Sequence, residues 1–288
     1  MPNFPRGTAL ITGGSSGIGA LYADRLARRG YDLILVARSQ DALARISKDI
    51  ASSTGRIVKI VRADLGQRHD LLKIEGILRS DPSITMLVNN AGVGAVEPLL
   101  MSDVEAMERM IAINVTALTR LVYAVAPSFV AREHGTIVNM ASALGVAPEV
   151  LNGVYGATKA FVIALTFSLQ KELAEKNIRI QAVLPGAVET PFWEASGGSL
   201  DRLPDQIVMK AEDAVDAALA GLDMGELITL PSVPDIGDWN AYEAARQKLM
   251  PNLSRNVPAR SLPVAGAGVL ISRTTTNKRD QRCPTAIS

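Results

Sequence analysis

Tyr155 and Lys159 stand four positions apart in the stretch VYGATKA, inside a run that patterns as helix. Four residues span about one helical turn, so the phenol and the ammonium fall on one face. A phenol with a pKa of about 10 is a poor acid or base at neutral pH unless a neighbour depresses it. An ammonium one turn away favours the phenolate, which predicts a lowered tyrosine pKa. Such a pair suits a reaction in which hydride adds to a carbonyl and leaves an alkoxide that needs a proton. Read singly, Lys159 also fits a solvated surface charge.

A second constellation comes earlier. The apolar run TALIT (8–12) leads straight into TGGSSGIG (12–19) and then into a helical pattern. Glycines between a strand and a helix start let the backbone approach a ligand, and the outward amides of the first turn favour an anion. The next strand ends LILVARS, with Ala37 where an acid would bind ribose hydroxyls, followed by Arg38. A guanidinium there suits a 2′-phosphate and predicts NADP(H) rather than NAD(H).

With further motifs in order, the chain resembles the short-chain dehydrogenase/reductase family. The motifs are TGGSSGIG (12–19), Asp64 in ADL, NNAG (89–92), Asn114 in INV, Ser142 in NMASALG, Tyr155 with Lys159, and PGAVET (185–190). They span about residues 6–195. The resemblance implies a Rossmann-type doubly wound parallel sheet of about seven strands. It implies hydride transfer between NADP(H) and a small carbonyl or alcohol substrate, with Asn114, Ser142, Tyr155 and Lys159 catalytic. In that scheme Ser142 holds the substrate oxygen, Lys159 also binds the nicotinamide ribose, and Asn114 anchors a relay water. Cofactor contacts are implied at Gly13, Ser15, Ser16, Gly17, Ile18, Gly19, Arg38, Asp64, Leu65, Asn90, Ala91 and Gly92. Tyr155, Lys159, Pro185, Gly186, Val188 and Thr190 complete that set. A homodimer or homotetramer through helices at 103–131 and 153–176 is implied as well. An NADP(H) sensor without turnover, and a non-redox dehydratase or epimerase, are the alternative readings.

The elements that must position these residues alternate. Apolar runs at 8–12, 32–37, 57–62, 85–90, 135–140, 178–185 and 226–231 pattern as strands. Helical patterns fill about 17–29, 39–52, 67–80, 103–131, 153–176 and 212–223. The alternation predicts a parallel sheet with right-handed crossovers in one domain over 1–260. A lid over about 190–210 would select the substrate, here expected to be mainly apolar. Phe192, Trp193, Leu200 and Leu203 could form it or pack on the body. A last helix is expected at 235–251, and 261–288 as an unstructured extension.

The bulk numbers narrow the partners. The chain has 288 residues, 48% of them hydrophobic, and a net charge of +1. The segment 261–288 holds +3 of that, leaving −2 for the rest. Such a balance gives no case for nucleic acid or an anionic membrane. One cysteine, Cys283, and two separated histidines, His69 and His134, predict no disulfide within the chain and no metal site. No signal peptide is expected, nor an apolar run of about 20 residues. A cytoplasmic protein is the resulting expectation.

Overall fold

A computed structural model describes residues 6–259 and 261–262. Seven parallel strands form the central sheet: β1 (Thr8–Thr12), β2 (Asp32–Ala37), β3 (Val58–Arg62), β4 (Ile84–Asn89), β5 (Gly135–Met140), β6 (Ile178–Val183) and, after the short β7 (Ala187–Val188) and β8 (Val208–Met209), β9 (Ile228–Thr229). Their order is β3-β2-β1-β4-β5-β6-β9. The chain winds one way from β1 and the other from β4, so a crevice opens beyond the carboxyl ends of these two strands. β1 and β5 are buried at every residue, as strands covered on both faces must be.

Helices α1 (Gly17–Arg28), α2 (Gln40–Thr54), α3 (Arg68–Ser80), α4 (Val104–Ile111), α5 (Leu118–Ala131), α6 (Gly153–Leu173), α7 (Phe192–Ala195) and α8 (Ala211–Met224) make the crossovers. α1 packs on α2 and α8, and α3 packs on α5. The main core joins Leu10's neighbours Ala9 and Ile11 to Tyr22, Leu26, Leu35, Val88 and Val138.

Three differences from the sequence pattern matter. The helix expected at 103–131 is split by a π-helical segment, Ala112–Ala117, that carries Asn114. The expected last strand, 226–231, shrinks to two paired residues, Ala182↔Ile228 and Val183↔Thr229. The span Val104–Ala131, with mean hydropathy 1.4 over its most apolar window, is long and apolar enough to cross a membrane by composition, contrary to expectation. It packs on α3, β4 and β5, as a core helix does.

By contact the chain divides into two compact units, 1–234 and 235–288. In the second, α9 (Ile236–Leu249) is capped by Asp235, which accepts from the Gly237 amide at 2.8 Å. Trp239 and Tyr242 stack at 5.2 Å, and Glu243 pairs with Arg246 at 2.7 Å. The expected extension, save residues 261–262, and Cys283 lie outside the described residues.

Candidate active site

The crevice is one cavity of about 1340 Å³ that runs from the glycine turn and Arg38 to Tyr155 and α7. Every residue expected at the site lines it except Gly19 and Asn114. Gly19 is buried; a Cβ there would lie 2.2 Å from the Gly13 carbonyl oxygen. Its lack of a side chain therefore lets α1 pack on the turn. Asn114 sits behind the wall, 2% exposed.

The glycine turn fits a phosphate group. Gly13 and Gly17 have φ of +68° and +51°, which side-chain-bearing residues rarely adopt. Gly13 donates to the Val36 carbonyl at 2.8 Å, tying the turn to β2. Ser16 caps α1 with its hydroxyl unused for capping, and the first turn has no acid, so the amide end stays electropositive. Arg38 is exposed just past β2 and forms no ion pair among the described residues. Ser39, unanticipated, lines the cavity beside it. Asp64 is oriented by the Gly66 amide, which donates to it at 2.9 Å, and Leu65 lies next to it.

Sequence reasoning missed the residue that holds this turn to β4. Thr12 Oγ1 accepts from the amides of Asn90 and Ala91, each at 3.0 Å, and donates to Val88 O at 3.3 Å. The Asn90 carboxamide donates to the carbonyls of Thr12 (2.9 Å) and Gly13 (3.3 Å). Both of its donor contacts thus support the turn. The signal was present, since a threonine ending a first strand has a hydroxyl to place, but its partners are some 76–79 residues away.

At the other end, Asn152 caps α6 and sets Tyr155. Its Oδ1 accepts from the amides of Val154 (3.0 Å) and Tyr155 (3.2 Å), while Nδ2 donates to Glu97 O (2.7 Å) and Ser102 Oγ (3.1 Å). Ser142 follows β5, where its hydroxyl accepts from the Leu144 amide at 3.2 Å and donates to Pro185 O at 3.4 Å. Lys159 Nζ donates to Met140 O at 2.9 Å and lies 5.7 Å from the Tyr155 ring centre. Asn114 Oδ1 accepts from the Val93 amide and its Nδ2 donates to Val93 O, each at 2.9 Å, and to Thr158 Oγ1 at 3.1 Å.

The electrostatics differ from the sequence expectation. Burial pushes the Tyr155 phenol up to about 12, against a lowering by the Ser142 hydroxyl. Burial also pushes the Lys159 ammonium down to about 8. The cation is itself disfavoured by burial, and desolvation dominates at both groups. The phenol is therefore held protonated, the form that an acid needs.

The PGAVET turn (185–190) is braced. Gly186 donates to Ser232 Oγ at 3.1 Å, and the Trp193 indole donates to Val188 O at 3.0 Å. Thr190 stands by the glycine turn: a Cβ on Gly17 would lie 3.3 Å from Thr190 Cβ. Phe192 packs on Tyr155 with ring centres 5.8 Å apart and meets Trp193 edge-on at 6.5 Å.

Comparison with known proteins bears on this arrangement. Residues 7–199 match the family model for short chain dehydrogenase. The very-long-chain 3-oxoacyl-CoA reductase-B of Danio rerio is 38% identical over 208 residues, 71% of this chain and 67% of the relative. That of Anas platyrhynchos is 32% identical over 70% of this chain, which spans 66% of its length. A short-chain dehydrogenase from Sphingobium yanoikuyae in complex with NADPH superposes with a TM-score of 0.85 at 45% identity, over 88% of this chain and 98% of that one. The bulky-bulky ketone specific alcohol dehydrogenase from Comamonas testosteroni gives 0.82 at 42%, over 89% and 99%. With the family's motifs present in order and assembled around one crevice, this chain belongs to the short-chain dehydrogenase/reductase family.

Proposed function

We propose that this protein is an NADP(H)-dependent oxidoreductase that interconverts a mainly apolar ketone and its alcohol, with Tyr155 as general acid and base. The observation that carries the reading is the placement of Ser142, Tyr155 and Lys159 in one cavity with the glycine turn and Arg38. NADP(H) fits that cavity, since Arg38 supplies an unpaired cation for a 2′-phosphate and the start of α1 supplies amides for the pyrophosphate. When bound, the reduced nicotinamide supplies the hydride.

Tyr155 gives its proton to the carbonyl oxygen as that oxygen gains charge. A phenol of high pKa still suffices, because an alkoxide is a far stronger base than a phenolate. Ser142 holds the same oxygen, and the Lys159 charge stabilises the phenolate left behind. Asn114 has its side-chain atoms engaged with Val93 and Thr158. It therefore serves the proton relay through the backbone it fixes.

The substrate end is walled by Leu144, Val150, Leu151, Phe192, Trp193 and Leu203. Such a wall supports a ketone with apolar arms, in keeping with the name of the Comamonas relative. Ile111, Tyr123 and Phe161 are exposed on the long helices at 44%, 70% and 39%, which supports assembly of identical chains through them. Loss of NADPH absorbance over a panel of ketones tests the reading. Tyr155→Phe should lower kcat by about 10²–10⁴-fold, with NADPH affinity kept. Near-normal turnover in that variant, or NADPH binding without any turnover in the native chain, would overturn it.

A further inference from the structure

Just past helix α7 lies a buried polar atom that this chemistry does not use. Ser196, just past the helix, is 8% exposed, and its hydroxyl has no hydrogen-bond partner. Its amide is satisfied by the carbonyls of Phe192 (3.0 Å) and Trp193 (3.1 Å), so the hydroxyl alone is left over. Ser196 belongs to the cavity wall. A Cβ on Gly94 would lie 2.7 Å from Ser196 Oγ and 2.4 Å from Phe192 Cζ, so only glycine lets the helix sit this close. Phe192 in turn covers the Tyr155 ring. The hydroxyl thus lies beside the Phe192 ring that covers the catalytic phenol.

An unpaired buried hydroxyl is unfavourable, and native chains hold few. In binding cavities the few polar atoms on an apolar wall fix the ligand's orientation. Resting on the reductase reading, we infer that Ser196 is a specificity-determining residue whose hydroxyl donates to a second carbonyl oxygen of the substrate. The substrate class is then an apolar ketone with another carbonyl on one arm, such as a diketone or an oxo ester. A neutral hydroxyl suits a neutral oxygen. To reach it, that arm must move the Phe192 ring aside, and the Gly197–Gly198 pair after Ser196 gives α7 a pivot.

The test compares two matched ligands, a 1,3-diketone and the monoketone in which a methylene replaces the second carbonyl. In Ser196→Ala the diketone-to-monoketone ratio of kcat/KM should fall about tenfold, the size of one hydrogen bond between neutral groups. Melting of the free variant should hold or rise, because the unpaired group is gone. An unchanged ratio overturns the proposal, whatever the absolute rates. If the native chain reduces neither ketone, the reductase reading fails on its own. The ratio of the two ketones' affinities, read from quenching of bound NADPH fluorescence, then decides the role of Ser196, and a ratio equal in native chain and variant overturns it.

Discussion

In the proposed reading, Ala37 and Arg38 decide between two cofactors by one charge. An acid at the end of β2 would accept from a ribose diol and repel a phosphate; the guanidinium does the opposite. Hydrogen bonds to a charged group contribute about 1.5–3 kcal/mol, or roughly 10- to 150-fold in affinity. The native chain should favour NADPH over NADH in kcat/KM within that range, towards its lower end because TGGSSGIG has no basic residue. Ala37→Asp with Arg38→Leu should reverse the order. Steady-state rates with both cofactors and one ketone measure this, and a double variant that still strongly prefers NADPH would mean that another group reads the phosphate. Arg38 was legible in the sequence because its position follows from a strand end. Thr12 and Ser232 were not, because each acts through a partner that only the fold brings near.

The same contrast holds for elements. β1, β2 and β5 have the bounds that their apolar runs imply, because strands covered on both faces are mostly apolar along their length. The π segment at Ala112–Ala117 was invisible, since one extra residue in a turn leaves the apolar pattern running on. The segment expected as a lid was legible only as a stretch: α7 is braced by the Trp193 indole bond to Val188 O in the short strand just before it. Asn152 shows how one cap serves the site. It closes the start of α6 at Tyr155 and ties that start to the loop at Glu97 and Ser102. Asn152→Ala should cost about 1 kcal/mol of stability, the usual loss for a cap, and lower kcat several-fold by loosening the phenol. Asn152→Asp keeps an acceptor for the Val154 and Tyr155 amides but sets a carboxylate oxygen against Glu97 O. It should restore the helix end while leaving the loop detached. Thermal melts with kcat for the two variants separate these effects; equal kcat in both would mean that the loop contact, not the cap, positions Tyr155.

Across the whole molecule, the buried ionisable groups set how folding responds to pH. Burial alone would raise the Glu75 carboxyl, but hydrogen bonds from Arg120 and Arg79 outweigh it and hold it below the usual range. That ion group joins α3 to α5 with the Glu75 side chain 1% exposed. Its stabilisation is complete above the unfolded carboxyl pKa and is lost as pH falls through the lower folded value. Lys159 acts on the alkaline side with the opposite charge. Its folded value of about 8 lies below its ordinary 10.5, so between these the unfolded chain holds a proton that the fold does not. Stability therefore rises with pH across that window. Tyr155, at about 12 against an ordinary 10.0, turns the trend: above pH 10 the unfolded phenol ionises first, and stability falls. Burial shifts Tyr22 upward as well, which steepens that fall. The urea midpoint of the cofactor-free protein should accordingly climb between about pH 8 and 10 and drop beyond. Lys159→Met has a similar shape and no charge to bury. It should be more stable than the native chain at pH 7, with the climb flattened and the drop unchanged. The difference between the two proteins at each pH cancels every other titrating lysine. A constant difference from pH 7 to 11 would show that Lys159 is not strained by burial, and that the cation is kept comfortably beside the phenol before any cofactor arrives.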